Sequence, residues 1–179
     1  MNESKIRQLV LAGLFTALTV VGAFIKIPFY PVPITLQTLM TALAGLFLIP
    51  RWAALSQVVY VMLGLLGAPV FANGGGLDYV LRPTFGYLFL LPFAAALISF
   101  LQRRAHSAKF LPMFSNVVLG LLFVLIGGGI WLYLNMRYIA FIDFQFWTAM
   151  LSGAIIFFPA TLFKAFVATM IKHEISKRK

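Results

Sequence analysis

The stretch FFPATLFKAF, residues 157–166, sets one lysine, Lys164, among phenylalanines, alanines and a leucine. A lysine in hydrocarbon costs about 2.5–3.5 kcal/mol on insertion scales, so its place calls for a partner. Thr161 lies three residues earlier, on the same face of a helix. Pro159 suits a first helical turn, which puts both residues near a helix N-terminus with its free N–H groups and partial positive charge. A lysine beside such an end makes an anion site, and a carboxylate would suit it. The alternative is a lysine that snorkels to an interface along its stem.

A second group of polar residues falls in two segments rich in Pro, Gly and aromatics. The first is KIPFYPVPITLQT, residues 26–38, with Thr35 and Gln37; the second is GAPVFANGGGLDYVLRPTFGY, residues 67–87, with Asn73, Asp78, Arg82 and Tyr87. Gly74, Gly75 and Gly76 allow positive φ and close backbone approach. Irregular backbone at membrane depth is tolerated where protein buries it or it lines a cavity, so both segments read as ligand loops, with plain connectors as the alternative. Arg82 is a candidate second cation, or half of a solvated pair with Asp78. The glycines are no phosphate loop, because G-x-x-x-x-G-K-[ST] is absent. ATP chemistry, if used, resides in another chain.

The elements that position these residues are apolar. Of 179 residues, 62% are hydrophobic and 10% charged, against roughly 25% charged in soluble domains; mean hydropathy is +0.99. The class is an all-α membrane protein, one domain over residues 1–179. Zero cysteines exclude thiol and disulfide chemistry. Two histidines and four acids are too few for an ordinary metal cage, and no metal or other cofactor is expected. A small intramembrane enzyme would need a nucleophile with a base, and His106 and His173 lie in basic, non-membrane stretches. A carrier driven by an ion gradient would need acids within the spans, whereas Asp78 and Asp143 read as loop residues.

Charge-free runs of membrane length give six spans, at about 6–25, 34–49, 52–67, 84–102, 115–135 and 159–175. Residues 146–158 read as a short helix leading into the last, and the N-terminal run as the first span rather than a signal peptide. Lys5, Arg7, Arg51, Arg103, Arg104, Lys109, Lys172, Lys177, Arg178 and Lys179 fall on one side, against Lys26, Arg82 and Arg137 on the other. The positive-inside rule then makes both termini cytoplasmic. It also accounts for the +10 charge without nucleic acid. Gly13 and Ala17, with Ala12 and Thr16 beside them, are small residues spaced to admit a second helix.

The runs FTALTVVGAFIKIPFYPVPITLQTLMTALAGLFL, VVYVMLGLLGAPVFANGGG and RPTFGYLFLLPFAAALI resemble the BioY family, the biotin-specific substrate-binding (S) components of energy-coupling-factor (ECF) transporters. The likeness is strongest over residues 12–98 and returns from Pro159 to Lys164. It implies a six-helix S-component bundle that holds the vitamin under its first and third loops. A separate transmembrane coupling subunit and two ATPase subunits would drive release. Gly13 and Ala17 match the small-residue motif of the first helix that meets the coupling subunit in this family.

The resemblance also implies site residues. Lys164 and Pro159 match the last-helix pattern F-x-P-G-D-x-x-K, and Asn73 looks like the third-loop asparagine; in the family these polar groups hold biotin's head. Thr161 stands where aspartate is usual, Ala160 where glycine is usual, and Arg82 where glycine often precedes P-T. A hydroxyl accepts hydrogen bonds more weakly than a carboxylate, so the pocket is more cationic and less suited to a ureido ring than the family pattern. The expected substrate is biotin, with lipoate, a carboxylate whose ring needs no acceptor, as the alternative. The expected binding residues are Lys164, Asn73, Thr161, Arg82, Tyr87, Gly75, Gly76, Thr35 and Gln37, with loops 26–37 and 68–83 gating access.

Overall fold

The structure, a computed structural model, describes residues 3–105 and 109–178; His106 lies outside them. Among the described residues the fold is all-α, with six principal helices and one short one. These are α1 (Glu3–Phe24), α2 (Gln37–Phe47), α3 (Pro50–Leu65), α4 (Phe85–Ala105), α5 (Phe110–Leu134), the short α6 (Phe146–Met150) and α7 (Phe158–Lys177). Proline opens two of them, Pro50 in α3 and Pro159 in α7, where the missing N–H costs nothing. Turns of π-helix follow α5 (Asn135–Ile139) and α6 (Leu151–Ile155). The second runs the short element almost unbroken into α7, as expected for residues 146–158.

Among the described residues, four helical stretches are long and apolar enough to cross a membrane: Ser4–Phe24, Phe85–Ala105, Phe110–Ile139 and Phe146–Lys177. The expected spans at 34–49 and 52–67 are shorter than a crossing. The eleven residues of α2 reach only about 16 Å at 1.5 Å per residue, and α3 about 24 Å, against a hydrocarbon core of about 30 Å. The reason lies in Leu36, whose N–H donates to Gly22 O at 3.0 Å and Ile25 O at 3.2 Å. The backbone there is sewn to α1 instead of turning into a helix. Residues Lys26–Ile27 (β1) and Ile34–Thr35 (β2) pair antiparallel, Lys26 opposite Thr35. The outer half of this crossing is therefore loop. At α5 the expected start is moved out from 115 to Phe110, since Pro112 is accommodated in the first turn.

Glycines let the helices close up. A Cβ at Gly45 would lie 2.8 Å from Ile98 Cβ, and one at Gly120 2.3 Å from Ile98 Cγ1, so α2 and α5 both seat the same side chain of α4. Without a hydrophobic drive between helices in lipid, such close packing holds them together. A polar net adds to it between α1, α2 and α3. Gln57 is fully buried; it accepts from Thr41 Oγ1 at 3.0 Å and donates to Thr19 Oγ1 at 3.2 Å. Thr16 donates to Ser56 O at 2.8 Å. Of the two small-residue pairs on α1, Ala12 and Thr16 thus pack inward, while Gly13 and Ala17 are exposed on the opposite face.

Candidate functional site

A largely apolar pocket lies where α2 is missing its outer turns. Its walls come from the first loop, α2, α4, α5 and α7: Leu88, Leu91, Leu121, Val124 and Leu125 supply apolar surface, with Tyr79, Tyr87 and Phe157 as aromatics. The polar groups are few: Thr35, Gln37, Thr38, Thr84, Thr161 and Lys164. An apolar cavity with a handful of placed polar groups is the usual form of a small-molecule site.

Lys164 is 9% exposed. Its ammonium donates to Thr38 Oγ1 at 3.1 Å, and no described carboxylate lies within 4.0 Å of it. The lysine therefore turns into the pocket toward α2 and does not snorkel. Thr38 stands in the first turn of α2 and is the residue that the sequence reading missed; its partner is 126 positions away, beyond any spacing rule. Thr161, one turn above Lys164, gives its proton to Phe157 O at 2.9 Å. Its oxygen keeps lone pairs to accept from a ligand.

Thr35 and Gln37 belong to a relay of hydrogen bonds. Thr35 Oγ1 donates to Gln37 Oε1 at 2.7 Å, Gln37 Nε2 donates to the Tyr60 hydroxyl, and Tyr60 donates to Val70 O at 3.1 Å. The relay ties the first loop through α3 to the second loop. Tyr87 lines the pocket, and its hydroxyl donates to Gly153 O at 2.7 Å. That carbonyl belongs to the π-helical turn before α7, whose altered register frees backbone groups for side-chain partners.

Four expected residues line no part of this pocket. Gly75 and Gly76 shape the second loop. A Cβ at Gly75 would lie 2.1 Å from Ala68 O, and Gly76, at φ +114°, donates to Gly64 O at 2.7 Å. Arg82 is half-exposed. It sits 3.9 Å from Asp78, stacks 5.0 Å from the Tyr79 ring centroid and donates to Asn73 O at 3.4 Å. Its charge is spent within the loop, which is the solvated-pair alternative. Asn73 lines a second, open cavity with Lys26, Phe29 and Tyr30. There its Oδ1 accepts from the Lys26 ammonium at 3.0 Å, and Ala72 O accepts from the same group.

The segment Leu77–Leu81 is a turn of 3-10 helix fixed to α5 through its backbone. Asn135 Nδ2 donates to Leu81 O at 2.7 Å and Trp131 Nε1 to Arg82 O at 3.1 Å. This anchoring presents Tyr79 to the pocket. Tyr79 in turn packs on Phe71 at 4.6 Å between centroids, and Phe71 covers Gly64 of α3 so closely that a Cβ there would meet the ring at 2.0 Å.

Comparison with known proteins bears on this arrangement. The family model described as the BioY family matches residues 1–179. A protein of Lysinibacillus sphaericus named "Probable biotin transporter BioY" is 48% identical over 107 residues, which are 60% of this chain and 55% of that protein. The matched region thus spans about half that relative's length. A protein of the same name from Pyrococcus horikoshii is 34% identical over 96% of this chain and 97% of its own. The crystal structure of an S-component for biotin from an ECF-type ABC transporter superposes with a TM-score of 0.86 at 29% identity, covering 99% of this chain and 94% of that one.

Proposed function

We propose a function from the premise that this chain belongs to the BioY family: it is a multi-pass membrane protein that serves as the substrate-binding subunit of an ECF-type uptake transporter and captures biotin. It works as a binding subunit and not as an enzyme. The observation that carries the reading is the largely apolar pocket lined by Lys164, Thr161, Thr38 and Gln37 among its few polar groups, in a fold shared with an S-component for biotin.

The mechanism follows from the residues. The apolar walls take the ligand's rings and chain out of water, worth about 25 cal/mol per Å² of apolar surface. Lys164 offers a charge-assisted donor at the inner end, and Thr161 and Gln37 offer oxygens to ring N–H groups. The Thr35–Gln37–Tyr60 relay holds the first loop in place over the ligand. Release is driven from outside this chain, by a transmembrane coupling subunit docked on the exposed Gly13–Ala17 face of α1 and two ATPase subunits beyond it. Both termini lie on the cytoplasmic side, where ten of the fourteen Lys and Arg fall. The cell membrane of a prokaryote is its location, with lipid around it.

Thr161, standing where the family pattern has aspartate, favours a second reading: the same role for a biotin-like carboxylate such as lipoate. Calorimetric titration of the detergent-purified chain with biotin and with lipoate separates the two. Tight biotin binding is expected. Tight lipoate binding with none for biotin would replace the first reading by the second, and binding of neither would remove both.

A further inference from the structure

Thr35, Gln37 and Tyr60 join the first loop to the second through two hydroxyls and an amide. Thr35 and Gln37 line the pocket. Tyr60 is no part of that lining; it belongs to α3 and is fully buried. The direction in which protons run along these three groups decides what the two lining residues offer a ligand, because a hydroxyl and an amide can each turn either a donor or an acceptor to a neighbour.

The far end of the chain of bonds fixes that direction. Val70 O is a carbonyl and can only accept. Among the described residues its donor is the Tyr60 hydroxyl, at 3.1 Å. Tyr60 has one proton and gives it there, so toward Gln37 the hydroxyl has only lone pairs and must accept. The Gln37 amide therefore turns its NH₂ to Tyr60 and its oxygen to Thr35, whose proton it takes at 2.7 Å. The opposite running would leave Val70 O without its donor beside the buried ring, and an unmade bond in such surroundings is costly. With the protons so placed, Thr35 Oγ1 and Gln37 Oε1 have only lone pairs left. Thr161 on α7 has likewise given its proton to Phe157 O.

We propose that Tyr60 is a positioning residue that sets the specificity of the pocket. Through the Gln37 amide it holds Thr35 and Gln37 as acceptors, so that this wall selects a ligand with ring N–H groups and rejects an isosteric ligand that presents oxygens in their place. The inference rests on the biotin reading above, since biotin's ureido ring brings two N–H groups. Without the Tyr60 hydroxyl the amide is free to turn over. Its NH₂ then donates to Thr35 Oγ1, and the Thr35 proton is released toward the ligand.

The test is titration of the full chain with biotin and with its cyclic-carbonate analogue, in which two oxygens replace the two ring N–H groups. Wild type is expected to prefer biotin roughly a hundredfold or more, as sites built around a hydrogen bond reject analogues that lack it. Tyr60→Phe removes one oxygen atom from outside the pocket. It should weaken biotin about tenfold and tighten the carbonate, which a general loosening of the fold would not do. In a Gln37→Met background, where no amide remains to orient, adding Tyr60→Phe should change neither affinity. That comparison also decides the matter if Tyr60→Phe alone fails to fold, since the two changes together leave no orphaned amide. A wild type that binds biotin and the carbonate equally overturns the inference. So does a Tyr60→Phe variant that keeps the full preference or weakens both ligands alike, or a loss of biotin affinity on adding Tyr60→Phe to Gln37→Met. Each of these leaves the biotin reading standing. A wild type that binds no biotin overturns that reading, and the inference with it.

Discussion

Thr161 spends its proton on Phe157 O, so at this position the pocket can only accept. That fixes the direction of recognition: a ligand must bring N–H or O–H to Thr161. Replacing the hydroxyl by a carboxylate, Thr161→Asp, should tighten biotin several-fold, since charged acceptors are roughly twice as strong as neutral ones, and leave lipoate unchanged or weaker. Titration of both ligands into the variant checks it. Lys164→Ala should weaken ligand binding at least about tenfold while the melting temperature stays put or rises, because the change also removes a buried cation that lacks a described carboxylate. An unchanged affinity would remove Lys164 from the site. Lys164 and Thr161 are legible in the sequence because a cation amid phenylalanines is conspicuous and i, i+3 spacing fixes a shared face. Thr38 and Tyr60 are not, because what distinguishes them is a neighbour brought up by tertiary packing. Arg82 reads in sequence as a candidate second cation, yet only the folded loop shows its charge turned to Asp78 and Tyr79.

At the scale of elements, the helices are read well from charge-free runs, to within a few residues at most ends. The exceptions are the beginnings of α5, which starts at Phe110 and not at 115, and of α2. Hydropathy sees residues 34–36 as apolar, but it cannot see that the Leu36 N–H bonds to α1. Nor does it foresee the two π-helical turns, since they follow from which side chains reach the backbone. Their role is testable. Gly153→Ala would place a Cβ 2.5 Å from the Tyr87 hydroxyl, pushing the ring and breaking the bond to Gly153 O. A lost buried hydrogen bond of this kind costs about 1–3 kcal/mol. The variant should therefore melt at lower temperature and bind ligand more weakly, as read by thermal unfolding and titration. Gly64→Ala should act the same way through Phe71 and Tyr79, at about 1–3 kcal/mol for an overpacked core.

For the whole molecule, the pocket and the α1 face proposed for docking are separate. The pocket lies between α2, α4, α5 and α7, while Gly13 and Ala17 face outward from α1, and a Cβ at Gly13 would meet nothing within 4 Å. Gly13→Leu should thus leave ligand affinity unchanged and abolish ATP-driven uptake in proteoliposomes that hold the coupling subunit and ATPases. Loss of both together would mean that this face is internal to the fold. The buried net of Gln57, Thr19 and Thr41 joins the helix that carries that face to the helix that carries Gln37 and Thr38, so buried hydrogen bonds connect the two surfaces.

The grip of α5 on the second loop has a consequence for how such a site can change. Asn135 and Trp131 hold Leu81 and Arg82 by their carbonyl oxygens, which every amino acid possesses. The exposed side chains at 77, 78, 81 and 82 can therefore be exchanged while the path of the loop is kept. An engineer seeking a new cargo could randomise this rim and leave the buried Tyr79 and the bundle alone, and natural drift has the same freedom. The anchors make the rim a replaceable part.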